Sequence, residues 1–198
     1  MRKIILGSGS PRRKEILKTA GYDFTVVTAD VDENVTEDSP EATVMAISAR
    51  KAESVAKLVA DNGEKDFLVI GADTLVFLGS ERMGKPGSEE EACEYLRRLS
   101  GNTHKVITGV SLYYDDEEGN LNSRVFSAST EVDVARLSQE EIEQYAASGE
   151  PMDKAGAYAI QGQFGKYITA IRGEYNNVVG FPIAAFYKNA KDLLNERK

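Results

Sequence analysis

The 198-residue chain has one cysteine, one histidine and no tryptophan. With Cys93 alone, neither an intramolecular disulfide nor a cysteine-built zinc site can form. That fits a reducing compartment and leads to the expectation of a cytoplasmic protein. His104 cannot form a catalytic triad by itself, and its setting in SGNTHKV, just before a strand, points to a structural role. Long apolar runs are also missing. The N-terminal run stops after Leu6, short of a signal peptide's core, and no later stretch is long enough to span a bilayer, so no membrane partner is expected. Cations are in deficit: 24 Lys and Arg stand against 32 Asp and Glu, a net charge of -8. This argues against a nucleic-acid polymer as partner, because that affinity rests on many cationic contacts. A free nucleotide needs only a few cations focused in one cleft, together with a metal ion. Linkers, internal repeats and low-complexity tracts are absent, so residues 1–198 read as a single domain.

What is present is an alternation of strands and helices. KIIL (3–6) predicts a buried strand, and Ser10-Pro11 an N-cap and first-turn proline for a helix ending near Gly21. FTVVT (24–28) reads as a second strand. After Ser39-Pro40, the recurrence of Met45, Ala49, Ala52, Ala56 and Val59 marks a long amphipathic helix with Lys51 beside its apolar stripe. FLVIGAD (67–73) reads as an apolar strand ending in Asp73, continuing into a hairpin that turns at Gly79-Ser80. Ser88 with Glu91, and Ser138 with Glu141, are capping boxes. Between those helices VITGVSLYY and VFSASTEVDVA are strands joined by DDEEGN. Short strands are expected at AYAI and KYITAI, then a helix from Pro182. The hairpins exclude a purely parallel arrangement, so the expected class is α/β with a mixed, twisted sheet and flanking helices.

GSGSPRR (7–13) joins the first strand to the first helix. A helix N-terminus offers unpaired N–H groups and a positive dipole end, glycines admit a ligand to the backbone, Ser8 and Ser10 add hydroxyls, and Arg12 and Arg13 can grip phosphate oxygens. From spacing alone, a capped helix with two solvated arginines explains the segment equally well. It is not a dinucleotide fingerprint, since Arg12 stands where the third glycine belongs, and GSERMGKP (79–86) is not a P-loop, since Pro86 replaces the magnesium-binding hydroxyl. Asp73 is either a general base or metal ligand, or the cap of a turn. Glu33 is either a second metal ligand or part of an acidic surface loop. In EPMDKAGAYAIQG, Asp153 and Lys154 lie between Pro151 and Gly156, and Gln161 can read a base edge or be a plain loop residue. With no cluster of His and Cys, any ion would take oxygen ligands, which favours Mg²⁺ or Mn²⁺.

GSGSPRRKEIL, ARKAESVA, VIGADTLV, GKP, LRRLSGNTHKVITGV, SGEPMDKAGAYAIQG and NVVGFP, in that order from Ile4 to Pro182, together resemble the Maf family of nucleoside triphosphate pyrophosphatases. The resemblance implies two lobes around a central cleft, similar to the inosine triphosphate pyrophosphatases, and a house-cleaning hydrolase that splits a nucleoside triphosphate into monophosphate and pyrophosphate. By position, Asp73 matches the family's proton acceptor. Arg12, Thr74 and Gln161 match positions tied to substrate choice, and Ser8, Arg13, Glu33, Lys51, Lys85 and Asp153 match polar positions lining the cleft. SPRR without an inserted aromatic, GADT rather than GSDQ, and DKAGAYAIQG resemble the dTTP/UTP branch rather than the 7-methyl-GTP branch. A homodimer and an association with arrest of septum formation are further implications, while the divalent cation, with Glu33 and Asp73 as its ligands, is the expectation from the residues themselves. A competing expectation is a nucleotide-sensing regulator of cell division with incidental catalysis. Departures from the family pattern are Gly7, where alanine is usual, and Lys166, where an apolar residue is common.

Overall fold

The computed structural model describes residues 2–35 and 37–195. The strands are β1 (Lys3–Leu6), β2 (Phe24–Val26), β3 (Phe67–Leu78), β4 (Glu81–Met83), β5 (Thr103–Asp115), β6 (Leu121–Val134) and β7 (Ile168–Arg172). The helices are α1 (Pro11–Thr19), α2 (Pro40–Asp61), α3 (Glu89–Leu99), α4 (Gln139–Ala146), α5 (Tyr175–Val179) and α6 (Ile183–Asn195). Among the described residues the strands make a seven-stranded sheet in the order β2-β1-β3-β5-β6-β7, with β4 paired to β3. β1 pairs in parallel with both β2 and β3, whereas β3–β4 and β6–β7 are antiparallel, so the sheet is mixed as expected. The chain divides into two compact units. One comprises Met1–Asp73, Thr108–Ala128 and Gly180–Lys198, the other Thr74–Ile107 and Ser129–Val179.

In the first unit the long helix α2 lies directly on strand backbone. A Cβ on Gly71 would come 2.5 Å from Ser48 O and 2.7 Å from Ala52 Cβ, and one on Gly109 would come 2.2 Å from Val44 O. Only glycine admits that approach, and the buried Ser48 and Ser111 hydroxyls share a 2.8 Å hydrogen bond across the same face. Below it, Ile5, Ala52, Val55, Ala56, Val59, Phe67 and Val69 form an apolar cluster. The buried side of α2 is centred on Val44, Ile47, Ser48, Ala52 and Val55, and Met45 and Ala49 are only partly covered, so the apolar stripe is rotated from the sequence expectation. The rotation follows from the two glycines, which draw the 44–48–52 edge of the helix inward. Arg2 is buried: its guanidinium donates to Leu193 O at 2.6 Å and Asp115 O at 3.2 Å and lies over the Tyr114 ring.

In the second unit α3 and α4 cover a core that includes Leu96, Leu99, Val132, Ile142 and Phe164. The Ser138–Glu141 capping box is complete. At Ser88 only half of it forms, because the Glu91 carboxylate turns to the Gly87 N–H at 2.7 Å and the Tyr95 hydroxyl at 2.9 Å. The strand expected at AYAI is absent. Residues Ala155–Ala157 form a 3-10 turn in which Gly156, at φ 70°, packs so close to Val76 that a Cβ would fall 2.9 Å from its Cγ1. The 3-10 turn Gln163–Tyr167 likewise takes the start of KYITAI, leaving β7 to begin at Ile168. His104 is buried, with Nε2 2.7 Å from the Tyr158 hydroxyl and Nδ1 without a partner. Burial lowers its pKa to about 4, against a smaller opposing pull from Asp133.

Two stability experiments follow from these contacts. Gly71→Ala is expected to lower stability by about 1–3 kcal/mol through overpacking against α2, measured by urea unfolding. Gly84→Ala, whose Cβ meets nothing within 4 Å, is the neutral control. For His104, both folded and unfolded forms are neutral above pH 6.5, and only the unfolded form takes a proton between 6.5 and about 4. Stability therefore falls as pH drops through that window, by about 3 kcal/mol from this residue, and His104→Gln should flatten the curve by that amount.

Candidate active site

The first unit assembles most of the sequence-predicted polar residues. Gly7 N–H donates to Ile70 O at 2.8 Å as β1 ends, and the chain turns through Ser8–Ser10 into α1 with Pro11 at its first position. Ser10 occupies the N-cap position, but its side chain caps nothing. Its own N–H donates to Ser8 Oγ at 3.3 Å, so the capping role expected of Ser10 is not realised. Ser8 is buried, and its Oγ also accepts from Arg13 Nη1 at 3.0 Å. Arg13 Nε donates to Gly180 O at 3.0 Å. Burial lowers the Arg13 pKa, Asp73 opposes that shift, Arg12 adds to it and Glu33 opposes it, so all four groups share one electrostatic neighbourhood. Arg12 is partly exposed and makes no hydrogen bond or ion pair with the described residues.

Asp73 is not at a strand end. β3 runs on to Leu78, and it is the parallel partner β1 that stops, at the Leu6–Ile70 register, leaving residues 71–73 beyond it. The residue is 7% exposed. Its Oδ1 accepts from Lys51 Nζ at 2.8 Å, and the same ammonium lies 2.8 Å from Glu33 Oε1. Lys51 thus joins an acid from the loop after β2 to an acid on β3. Asp73 Oδ2 is buried without a partner, which is costly for a carboxylate unless the site is built for something else to meet it.

The remaining positions lie in the second unit. Thr74 follows Asp73 on β3 and is partly exposed. Lys85, in the segment after β4, is exposed and pairs with none of the described residues. Asp153 closes the 3-10 turn Glu150–Asp153 and pairs with Lys154, whose side chain is only 17% exposed. Gln161 is exposed in a turn closed by Gly162 N–H donating to Ala159 O at 3.1 Å, and its own side chain forms no hydrogen bond with the described residues. Sequence reasoning missed the Gly180 carbonyl as a partner of Arg13. The signal was the NVVGFP block itself, whose glycine adopts φ 131°.

Two carboxylates, an ammonium and a guanidinium around a serine-lined turn suit a polyanion with oxygen-ligated cations. Among the described residues no three His, Cys, Asp or Glu gather to hold a metal ion. Glu33 and Asp73 are the two acids that meet at Lys51. No helix among the described residues is long and apolar enough to cross a membrane.

A family model described as Maf-like protein matches residues 3–193. The chain is 46% identical over 201 residues to a dTTP/UTP pyrophosphatase of Agathobacter rectalis, covering 98% of each. It is 44% identical to a dTTP/UTP pyrophosphatase of Lachnoclostridium phytofermentans, over 96% of this chain and 95% of that one. Among solved structures, the Staphylococcus aureus Ham1 protein aligns at 18% identity with a TM-score of 0.47, covering 68% of this chain and 72% of that one.

The two arms of the Lys51 bridge should differ in strength. The Asp73 side chain is 10% exposed and that of Glu33 56%. Double-mutant cycles on urea unfolding should give a Lys51–Asp73 coupling of about 2 kcal/mol or more, because removing Lys51 strands a buried charge. The Lys51–Glu33 coupling should stay below about 1 kcal/mol. Equal couplings would contradict this picture of the site.

Proposed function

The chain belongs to the Maf family, and from that premise we propose that it hydrolyses dTTP and UTP to the monophosphate and pyrophosphate, in a house-cleaning role. The observation that carries the reading is the Asp73 carboxylate, fixed through Oδ1 by Lys51 while the buried Oδ2 has no partner. A base needs an orientation imposed on it and a free oxygen at which to take a proton. Water attacks the α-phosphorus, its proton passes to Asp73 Oδ2, the bond to the bridging oxygen breaks and pyrophosphate leaves. No covalent intermediate is required. Such chemistry depends on positioning and neutralisation of charge, and Arg13, Lys51 and Lys85 are the cations we assign to the triphosphate, with Ser8, Ser10 and Asp153 as further polar contacts.

Where it does not act as the base, the orphaned Asp73 oxygen, with the neighbouring Glu33 carboxylate, fits a hard divalent cation, Mg²⁺ or Mn²⁺. Glu33 and Asp73 would hold it, and when bound it would neutralise charge on the phosphate oxygens. To Arg12, Thr74 and Gln161 we assign the choice of base. Arg12 makes no hydrogen bond or ion pair with the described residues and is free to reach a ligand, whereas the Arg13 guanidinium is anchored to Ser8 and Gly180. Arg13 thereby serves charge, and Arg12 serves selection. A purine is rejected because the wrong base edge leaves polar groups unpaired.

The test is product analysis with dTTP and UTP in ¹⁸O-labelled water with Mg²⁺. Pyrophosphate and a monophosphate carrying the label are expected, and Asp73→Asn should lose roughly 10²–10⁴-fold in kcat. Release of single phosphate would overturn the bond assignment, and full turnover by Asp73→Asn would overturn the role of that residue.

A further inference from the structure

The side chain proposed to read the base, Gln161, is itself unrestrained, yet the backbone on either side of it is pinned by a residue with no role so far. Glu150 begins the 3-10 turn after α4. Its Oε1 accepts from the Tyr145 hydroxyl at 2.8 Å and its Oε2 from the Gln163 N–H at 3.1 Å. The Tyr145 oxygen accepts in turn from the Ala159 N–H at 3.3 Å. The segment 159–163 is therefore tied at its first residue through Tyr145 and at its last through Glu150. Between them Gly162 lies against the carboxylate so closely that a Cβ there would fall 1.9 Å from Glu150 Oε1 and 2.4 Å from Cδ. Gly162 has an ordinary extended φ of -99°, so its lack of a side chain serves this contact and not a left-handed turn. Burial first, and the bond to Glu150 second, raise the Tyr145 pKa above its ordinary value, so the phenol remains a donor across the physiological range.

We propose that Glu150 is a positioning residue for substrate selection: by clamping Tyr145 and the Gln163 amide around Gly162 it holds the turn that presents Gln161. The proposal rests on the reading of Gln161 as a base-selecting residue. Glutamate suits the task because both its oxygens accept, matching two donors that approach from different elements. A glutamine in its place keeps both ties by accepting from the Gln163 N–H through its oxygen and donating its N–H₂ to the Tyr145 oxygen. Glu150→Gln is therefore the conservative rescue and Glu150→Ala the variant that removes the clamp.

The experiment compares Glu150→Gln, Gly162→Ala, Glu150→Ala, the double variant Glu150→Ala/Gly162→Ala and the control Gln161→Ala. The readouts are amide hydrogen exchange at Ala159 and Gln163 in the free protein, and kcat/KM for dTTP relative to dGTP with Mg²⁺. Glu150→Ala is expected to speed exchange at Gln163 and to lower the dTTP preference by about ten- to a hundredfold, as a misplaced group would, and Glu150→Gln to restore both. Gly162→Ala should act as Glu150→Ala does, but should add nothing once Glu150 is alanine, since the clash is then gone. A merely structural Glu150 would lower the melting temperature without moving the preference. Unchanged exchange at Gln163 in Glu150→Ala overturns the clamp. A preference that falls in Gln161→Ala but not in Glu150→Ala overturns the positioning role and leaves the reading of Gln161 standing. If neither variant moves the preference, the reading of Gln161 fails and the positioning role fails with it.

Discussion

The closeness of α2 to β3 is the constraint on which the site depends. With Ser48 O only 2.5 Å from where a Cβ of residue 71 would be, the helix rests on strand backbone, and Lys51 reaches an aspartate two residues along that strand. Moving the helix outward by the thickness of one methyl group would lengthen a 2.8 Å contact that has little room to give. Gly109 repeats the arrangement against Val44, so the helix is seated at two points and its Lys51 has a defined height above the sheet.

That seating governs the electrostatics. A chain of net charge -8 gathers Arg12, Arg13 and Lys51 near two acids, and the buried Asp73 carboxylate is held by a single oxygen. Arrangements of this kind spend stability on readiness: an unpartnered buried oxygen is unfavourable in the resting protein and becomes useful only when a proton or a cation arrives. The contrast between Arg13, tied to Ser8 and Gly180, and Arg12, with no hydrogen bond or ion pair among the described residues, gives two adjacent arginines different capacities.

Much of the local structure was legible in the residues. β1, the turn at 79–80, the helix starts at Pro40 and Glu89, and the capping box at Ser138 follow from short-range patterns that need no partner. The failures share a cause. AYAI has strand composition, but Gly156 is drawn against Val76, a 3-10 turn takes Ala157, and the rest of the segment pairs with no strand. Ser10 has every local qualification for a cap, yet its N–H goes to a serine that is simultaneously held by Arg13. Asp73 looked like a strand terminus because the apolar run stops there, whereas the strand continues and its neighbour ends.

By itself, then, the sequence determined where the chain turns and caps, that the sheet is mixed, and which blocks mark the family, because these depend on residue type and on spacings within a few positions. It also supplied the identities of the polar residues. Only the tertiary structure decided that Glu33, Lys51 and Asp73 meet, that one aspartate oxygen is left over, and that Glu150 reaches across to Gln163. Those outcomes turn on how closely two backbones approach. Such distances are set by the absence of a side chain at Gly71 or Gly162, measured against atoms from distant parts of the chain, and no local pattern encodes them.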